Sequence, residues 1–394
     1  MATSYLSRVV TNIGEFMKLT TNAKDMLDAL NKVAPAVGKL EVLACVKLSL
    51  FSNRLTLCCT DNEICLKTAI TLDGNNEDGE ICFSLKTLVD TLKKVDQEKP
   101  VNIKTIENNK VVVSSGRFRS TVQYLDADLF PEINTVDNNI LTAIFKKTDL
   151  FQLAEFTKFC VDTGSYRVFL RGVNVRFSKG LAEFIASNGH LMAYCKATVD
   201  NDVEHDIIIP KKTLEIISGM TKTAEQDIIS MNVSGNSISL DIDDTTLVSV
   251  LVDAKYPNVS QIINFAPTVS FSVYNDEFVK AIKRVAITSN KNSQAVMLNV
   301  KDGEIRLSTM NSQHDESEDF ISLPTNTSAE YSSAFSAEYL LYVLSMLHTE
   351  KVCFFGSSNV NNCKISGYDE TTFKSNIDQL GDNDPLYVIS RIVV

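Results

Sequence analysis

The chain has no Cys-x-x-Cys, no His-x-x-x-His, no Walker-type phosphate loop and no Gly-x-Ser-x-Gly. Those absences remove the familiar zinc, nucleotide and hydrolase signatures. Histidine is scarce: His190, His205, His314 and His348 are scattered, so no imidazole cluster marks a catalytic centre or a metal site. No metal or cofactor is therefore expected. No apolar run is long enough to cross a membrane, so no membrane partner is expected either. Residues 1–16 lack the apolar core of a secretory signal and are read as an N-terminal extension. A basic excess is also missing, since the net charge is −11. Acidity does not exclude nucleic acid, but any basic face must then be local.

Nine cysteines are present, an odd number, and most sit in apolar runs. That is the pattern of buried, reduced thiols and places the protein in the cytoplasm. A length of 394 residues leaves room for two or three domains. A composition 44% hydrophobic and 22% charged is that of an ordinary globular chain.

One stretch organises the rest. Val252-Asp253-Ala254-Lys255-Tyr256-Pro257-Asn258-Val259 echoes Leu125-Asp126-Ala127-Asp128-Leu129-Phe130-Pro131-Glu132-Ile133. Proline after an aromatic ends regular structure, so both read as domain exits. Between such exits the pattern is β-α-β-β-β, twice per domain. The spacing predicts a strand and helix over 17–35, strands at 46–51, 55–59 and 63–69, and a second helix over 85–95. Strands at 101–105, 110–114 and 120–124 follow. The order recurs after residue 140, with a helix over 148–159 and strand-like segments at 169–172, 173–177 and 183–186. It recurs again after residue 268.

The register is consistent. Phe83, Ile209 and Phe335 are spaced equally, as are Leu88, Leu214 and Leu340, at 126 residues. Three such repeats fill 17–394 and leave only the extension. The expected domains are 17–138, 139–266 and 267–394. The fold class is α+β: three similar domains, each a duplicated β-α-β-β-β unit. Sheet edges left open by such domains invite further pairing, and a second copy could close them into a two-fold ring. The six expected helical segments carry a net +3, leaving −14 for the remainder. Helices inside a ring would give a mildly basic hole, suited to holding duplex without reading its sequence.

This order of elements, with several landmarks, resembles the bacterial DNA sliding clamps, the β subunits of replicative DNA polymerase. The landmarks are Met17-Lys18-Leu19-Thr20, Ser187-Asn188-Gly189-His190-Leu191-Met192, Ile208-Ile209-Pro210-Lys211-Lys212, Val252 to Pro257, and Tyr387-Val388-Ile389. The resemblance implies the DNA clamp fold: a head-to-tail homodimeric ring, helices inside and sheets outside, encircling double-stranded DNA. It implies a processivity factor, not an enzyme, that tethers DNA polymerase, the clamp loader and other clamp-binding proteins through short linear peptides. An alternative is a non-catalytic repeat scaffold that does not encircle DNA.

Carried over by position, the partner-peptide pocket comprises Arg167, Leu170, Ser187, Gly189, His190, Leu191, Met192, Pro257, Gln261, Ile262, Ser336, Tyr339, Val360, Asn362, Ser390, Arg391, Ile392, Val393 and Val394. Leu191 and Gln261 stand where the family usually has Arg, and Ser293 where Phe is common, so the peptide preference should differ. Lys39 and Lys212 match basic residues of the inner surface. Lys93, Lys94, Lys211, Lys280, Lys283 and Arg284 follow from helix position alone. For ring closure the matches are Val95, Arg117, Arg119, Ile287, Asp315, Glu316, Glu318 and Asp319. Thr91 and Thr288 replace apolar positions there, which makes the expected interface more polar.

Overall fold

A computed structural model describes residues 16–131, 139–289, 294–311, 313–323, 330–368 and 377–392. Residues 1–15 of the extension, Glu132, Ile133, Ser293, Val393 and Val394 lie outside the described residues.

Six half-repeats follow one another, each β-α-β-β-β. The first is β1 (Lys18–Asn22), α1 (Ala23–Val33), β2 (Cys45–Phe51), β3 (Arg54–Thr60) and β4 (Ile64–Thr71). The second is β5 (Gly79–Ser84), α2 (Leu85–Leu92), β6 (Pro100–Ile106), β7 (Lys110–Ser115) and β8 (Phe118–Gln123). The third is β9 (Asn139–Lys146), α3 (Lys147–Thr157), β10 (Gly172–Ser178), β11 (Leu181–Ser187) and β12 (Leu191–Thr198). The fourth is β13 (His205–Pro210), α4 (Lys211–Thr223), β14 (Ile228–Ser234), β15 (Ser237–Ile242) and β16 (Thr245–Val250). A short helix, α5 (Ser260–Ile263), precedes the fifth: β17 (Val269–Tyr274), α6 (Asn275–Val285), β18 (Ala295–Lys301), β19 (Glu304–Met310) and β20 (Glu316–Ser322). The sixth is β21 (Tyr331–Ser336), α7 (Ala337–Met346), β22 (Lys351–Gly356), β23 (Asn362–Gly367) and β24 (Leu386–Ser390).

The chain packs as two compact units. One holds residues up to Ile140 together with Ile229–Val250, and the other holds Leu141–Ile228 with Leu251 onward. In the first, strands run β1-β6-β7-β8 in one sheet and β5-β2-β3-β4-β16-β15-β14 in another. In the second, the orders are β13-β10-β11-β12-β24-β23-β22-β17 and β20-β19-β18-β21. The leading strand of a half-repeat crosses to its sister half: β1 pairs β6, β5 pairs β2, β17 pairs β22 and β21 pairs β18. This exchange knits each duplication together by backbone hydrogen bonds that no sequence period reveals.

Local chemistry supports these elements. In α1, Met26, Ala29, Leu30 and Val33 are buried at helical spacing, and the Asn22 side chain accepts from Lys24 N–H at 2.8 Å. Strands inside a sheet and covered on both faces read as unbroken apolar runs, as in Leu191-Met192-Ala193-Tyr194-Cys195 of β12 and Leu386-Tyr387-Val388-Ile389 of β24. The outermost strands β8 and β20 are polar and largely exposed.

Two local expectations are corrected. The second helix stops at Leu92 rather than Val95, because the Gln97 side chain turns back and donates to Leu92 O at 2.8 Å. The stretch 169–172 is not strand: Val168–Arg171 forms a 3-10 turn, and β10 begins at Gly172. Gly172 crosses so close to β13 that a Cβ there would lie 2.5 Å from Ile209 O.

Candidate functional site

Within the second unit, one cavity of about 210 Å³ opens beside the β11–β12 turn, where β12 and β24 meet in the middle of the eight-stranded sheet. One wall is the 3-10 turn carrying Arg167, Phe169 and Leu170. The β11–β12 turn supplies Ser187, Gly189, His190, Leu191 and Met192, and the segment after β16 supplies Tyr256, Pro257, Val259 and Ile262. Asn362, Val388 and Ser390 close it from β23 and β24.

The turn at Ser187–Leu191 is tightly determined. Asn188 Oδ1 accepts from the backbone N–H groups of His190 at 2.9 Å and Leu191 at 2.8 Å. Ser187 Oγ accepts from Gly189 N–H at 3.1 Å and donates to Leu191 O at 3.1 Å. Gly189 has φ +91°, which glycine alone adopts freely. Ser390 N–H donates to His190 O at 2.8 Å, tying the turn to the last strand. Beneath the cavity, Ile185, Met192, Tyr194, Ile208, Tyr256, Val259, Ile263 and Val388 form one buried cluster. Phe169 meets Tyr256 edge to face with ring centroids 5.7 Å apart. Burial pushes the Tyr256 phenol well above its ordinary value, so it stays neutral.

Lys364 on β23 lies under the wall formed by the segment after β16. It is 1% exposed; its ammonium donates to Ile263 O at 3.2 Å and Phe265 O at 2.9 Å, and lies 4.4 Å from the Phe265 ring centroid. The Ile263 carbonyl ends α5, where oxygens lack partners within the helix, and Phe265 follows just beyond it. Burial lowers the Lys364 pKa to about 8.

The cavity brings together Arg167, Leu170, Ser187, Gly189, His190, Leu191, Met192, Pro257, Ile262, Asn362 and Ser390 from the expected set. It adds Phe169, Tyr256, Val259 and Val388, which are not among the pocket residues expected from the sequence. Gln261, Ser336, Tyr339, Val360, Arg391 and Ile392 do not line it. Several of these lie one contact away. Tyr339 accepts from Asn188 Nδ2 at 3.3 Å, Ser336 caps α7, and Ile392 N–H donates to Ala334 O at 2.8 Å. Arg391 Nη2 donates to Ser357 O, and its guanidinium lies over the Tyr331 ring. Gln261 is exposed.

The expected basic residues divide between the units. Lys39, Lys93 and Lys94 belong to the first and are exposed. Half-buried Lys211 and exposed Lys212 open α4, and exposed Lys280, Lys283 and Arg284 lie on α6, all in the second. Arg284 already pairs with Asp319 at 2.5 Å. Arg117 and Arg119 flank exposed Phe118 at the start of β8. On the other outer strand, Glu318 pairs with Arg306 at 2.7 Å and Glu316 is exposed, and just before it Asp315 accepts from Asn311 Nδ2 at 2.9 Å. Val95 is half-buried, and Ile287 is 83% exposed beside that sheet. Among the described residues no group of His, Cys, Asp and Glu is arranged to hold a metal, and no helix is long and apolar enough to cross a membrane.

Residues 17–134 match the N-terminal domain of the DNA polymerase III beta subunit, 145–258 its central domain and 261–379 its C-terminal domain. The chain belongs to the sliding-clamp family. It is a DNA polymerase processivity factor. The beta sliding clamp of Haemophilus influenzae is 24% identical over 359 residues, covering 89% of this chain and 97% of that relative. That of Pseudomonas putida is 26% identical over 364 residues, covering 91% and 98%. A crystal structure of the Pseudomonas aeruginosa sliding clamp with a ligand superposes with a TM-score of 0.87 at 25% identity, covering 96% of this chain and all of that one. Another, of the clamp from the same organism bound to griselimycin, gives a TM-score of 0.86 at 24% identity, with the same coverage.

Proposed function

We propose that two copies of this clamp close head to tail around duplex DNA, helices inside and sheets outside, and that the cavity beside β12 takes short linear peptides. The partners read from this are DNA polymerase, the clamp loader and other clamp-binding proteins, acting in the cytoplasm. The clamp's own part is tethering, without catalysis. Its domains are 17–138, 139–266 and 267–394.

The observation that carries the ring is which strands are left over. β4, β12 and β20 end the odd half-repeats, and β8, β16 and β24 end the even ones. Two odd–even joins exist: β4 with β16, where Leu66 faces Leu247, and β12 with β24, where Met192 faces Val388. β20 and β8 are the outer strands that remain. Joining β20 of one copy to β8 of another, twice, satisfies every such edge. Arg117 and Arg119 on one edge and Glu316 with its acidic neighbours on the other favour this pairing over like with like. A net +3 on the helices against −14 elsewhere suits a loose, sequence-independent hold on phosphates.

The cavity's chemistry supports a peptide. It has an apolar floor of Leu170, Met192, Val259 and Val388, with Arg167, Ser187, His190 and Asn362 at hand for backbone and polar groups. Loading the clamp onto nicked circular duplex and then cutting the circle tests the topology. Retention on the circle with loss after linearisation is expected. Equal retention on both forms, or a salt-sensitive hold indifferent to the cut, would favour a scaffold that does not encircle DNA.

A further inference from the structure

Two thiols meet outside every site described above. Cys58 on β3 stands opposite Lys67, and Cys65 on β4 stands opposite Thr60. They are diagonal neighbours on one sheet face, and their Sγ atoms are 3.3 Å apart. Both are half-buried, whereas the other seven cysteines are buried. Burial pushes the nearby Cys59 and Cys82 thiols up to about 12, and Cys58 is raised too, first by its hydrogen bond with Cys65 and then by burial, so each of these three stays protonated. Cys65 is displaced the other way, first by the hydrogen bond with Cys58 and then by the Lys67 ammonium, against the opposing effect of burial.

We propose that Cys58 and Cys65 form an oxidisable dithiol, which a hydroperoxide converts reversibly into a disulfide between β3 and β4. The Cys65 thiolate attacks one peroxide oxygen and the O–O bond breaks. The leaving oxygen takes a proton, giving water when the oxidant is hydrogen peroxide and leaving Cys65 as a sulfenic acid. The Cys58 sulfur then attacks the Cys65 sulfur, its proton leaves with the hydroxyl as a second water, and the S–S bond forms. Two thiols lose two electrons and one peroxide is reduced. Starting from the observed contact, the sulfurs need to close by about 1.3 Å to reach bonding distance. β4 is also the strand that pairs β16, with Cys65 facing Val248, so the bridge forms on a strand that joins two repeats.

The test is peroxide treatment of the native full chain, blocking of free thiols, tryptic digestion and mass measurement of the peptide between Arg54 and Lys67, which holds Cys58, Cys59 and Cys65. The expected product has lost two hydrogens, carries one blocked thiol and returns to the reduced mass with dithiothreitol. Cys59→Ser keeps that loss, whereas Cys58→Ser and Cys65→Ser abolish it. A loss that persists in Cys65→Ser, or vanishes in Cys59→Ser, overturns the assignment. Phenylarsine oxide, which bridges adjacent thiols, needs no substitution: on the untreated native chain it should protect Cys58 and Cys65 together from alkylation. Protection of neither, or of a pair that includes Cys59, counts against the proposal.

Discussion

Gly189 lines the cavity and Lys364 ties down the segment behind it, one relying on backbone freedom and one on charge. Gly189→Ala has open space for its Cβ but forces φ +91° on an L-residue. The expected cost is about 1 kcal/mol of stability, with weaker peptide binding and an unchanged dimer, read by thermal melting, peptide titration and solution mass. Lys364 yields a pH signature. Below about pH 8 both folded and unfolded chains hold its proton, and the folded state bears the cost of a buried charge. Between about 8 and the ordinary 10.5, the unfolded chain keeps the proton that the folded chain has released, so raising the pH favours folding. Lys364→Met removes both the cost and the tie to Ile263 and Phe265. The melting temperature of the parent relative to this variant should rise across that window, and a constant difference would contradict the account. At this scale the sequence was informative wherever a motif marks a turn, as Ser187 to Met192 does. Phe169, Tyr256, Val259 and Val388 were not legible as pocket residues. An apolar side chain at a cavity wall and one in a core obey the same alternation, and only the three-dimensional packing separates them.

The outer strands carry the predictions that belong to secondary structure. Arg117→Glu combined with Arg119→Glu places like charge against the acidic strand β20 across the proposed joint. The dimer should weaken at least tenfold, about 1.4 kcal/mol, in sedimentation at low salt. An unchanged dimer would remove these arginines from the joint. Deleting Ile392–Val394 removes the N–H that Ile392 donates to Ala334 O, together with the end of the tail. Peptide binding should be lost and the dimer retained, and unchanged peptide affinity would detach the tail from the pocket. Half-buried strands were readable because period-two alternation is a direct consequence of one face meeting the core. The exchange of leading strands between sister halves was not readable, since pairing partners leave no mark on a single strand's pattern. The end of α2 was missed for a related reason. Val95 continues the apolar spacing of Leu88 and Leu92, but a side-chain amide from Gln97 stops the helix first.

For the whole molecule, the 126-residue register in the sequence carried the repeat, and the repeat carried the family resemblance. What the register did not carry is the grouping into compact units. The middle repeat is shared: β14 to β16 pack with the first repeat, and β10 to β13 with the third. The same pairing that shares it, last strand of an odd half-repeat against last strand of an even one, leaves β8 and β20 as outer strands, the two that the proposed ring would join between copies. The particle mass of the full chain in solution, measured by light scattering across a dilution series, tests this most directly. A closed ring predicts twice the 43.6 kDa chain, with no larger species as concentration rises, because both edges are used. A single-chain mass throughout, or a mass that keeps growing as open edges add further copies, would contradict it.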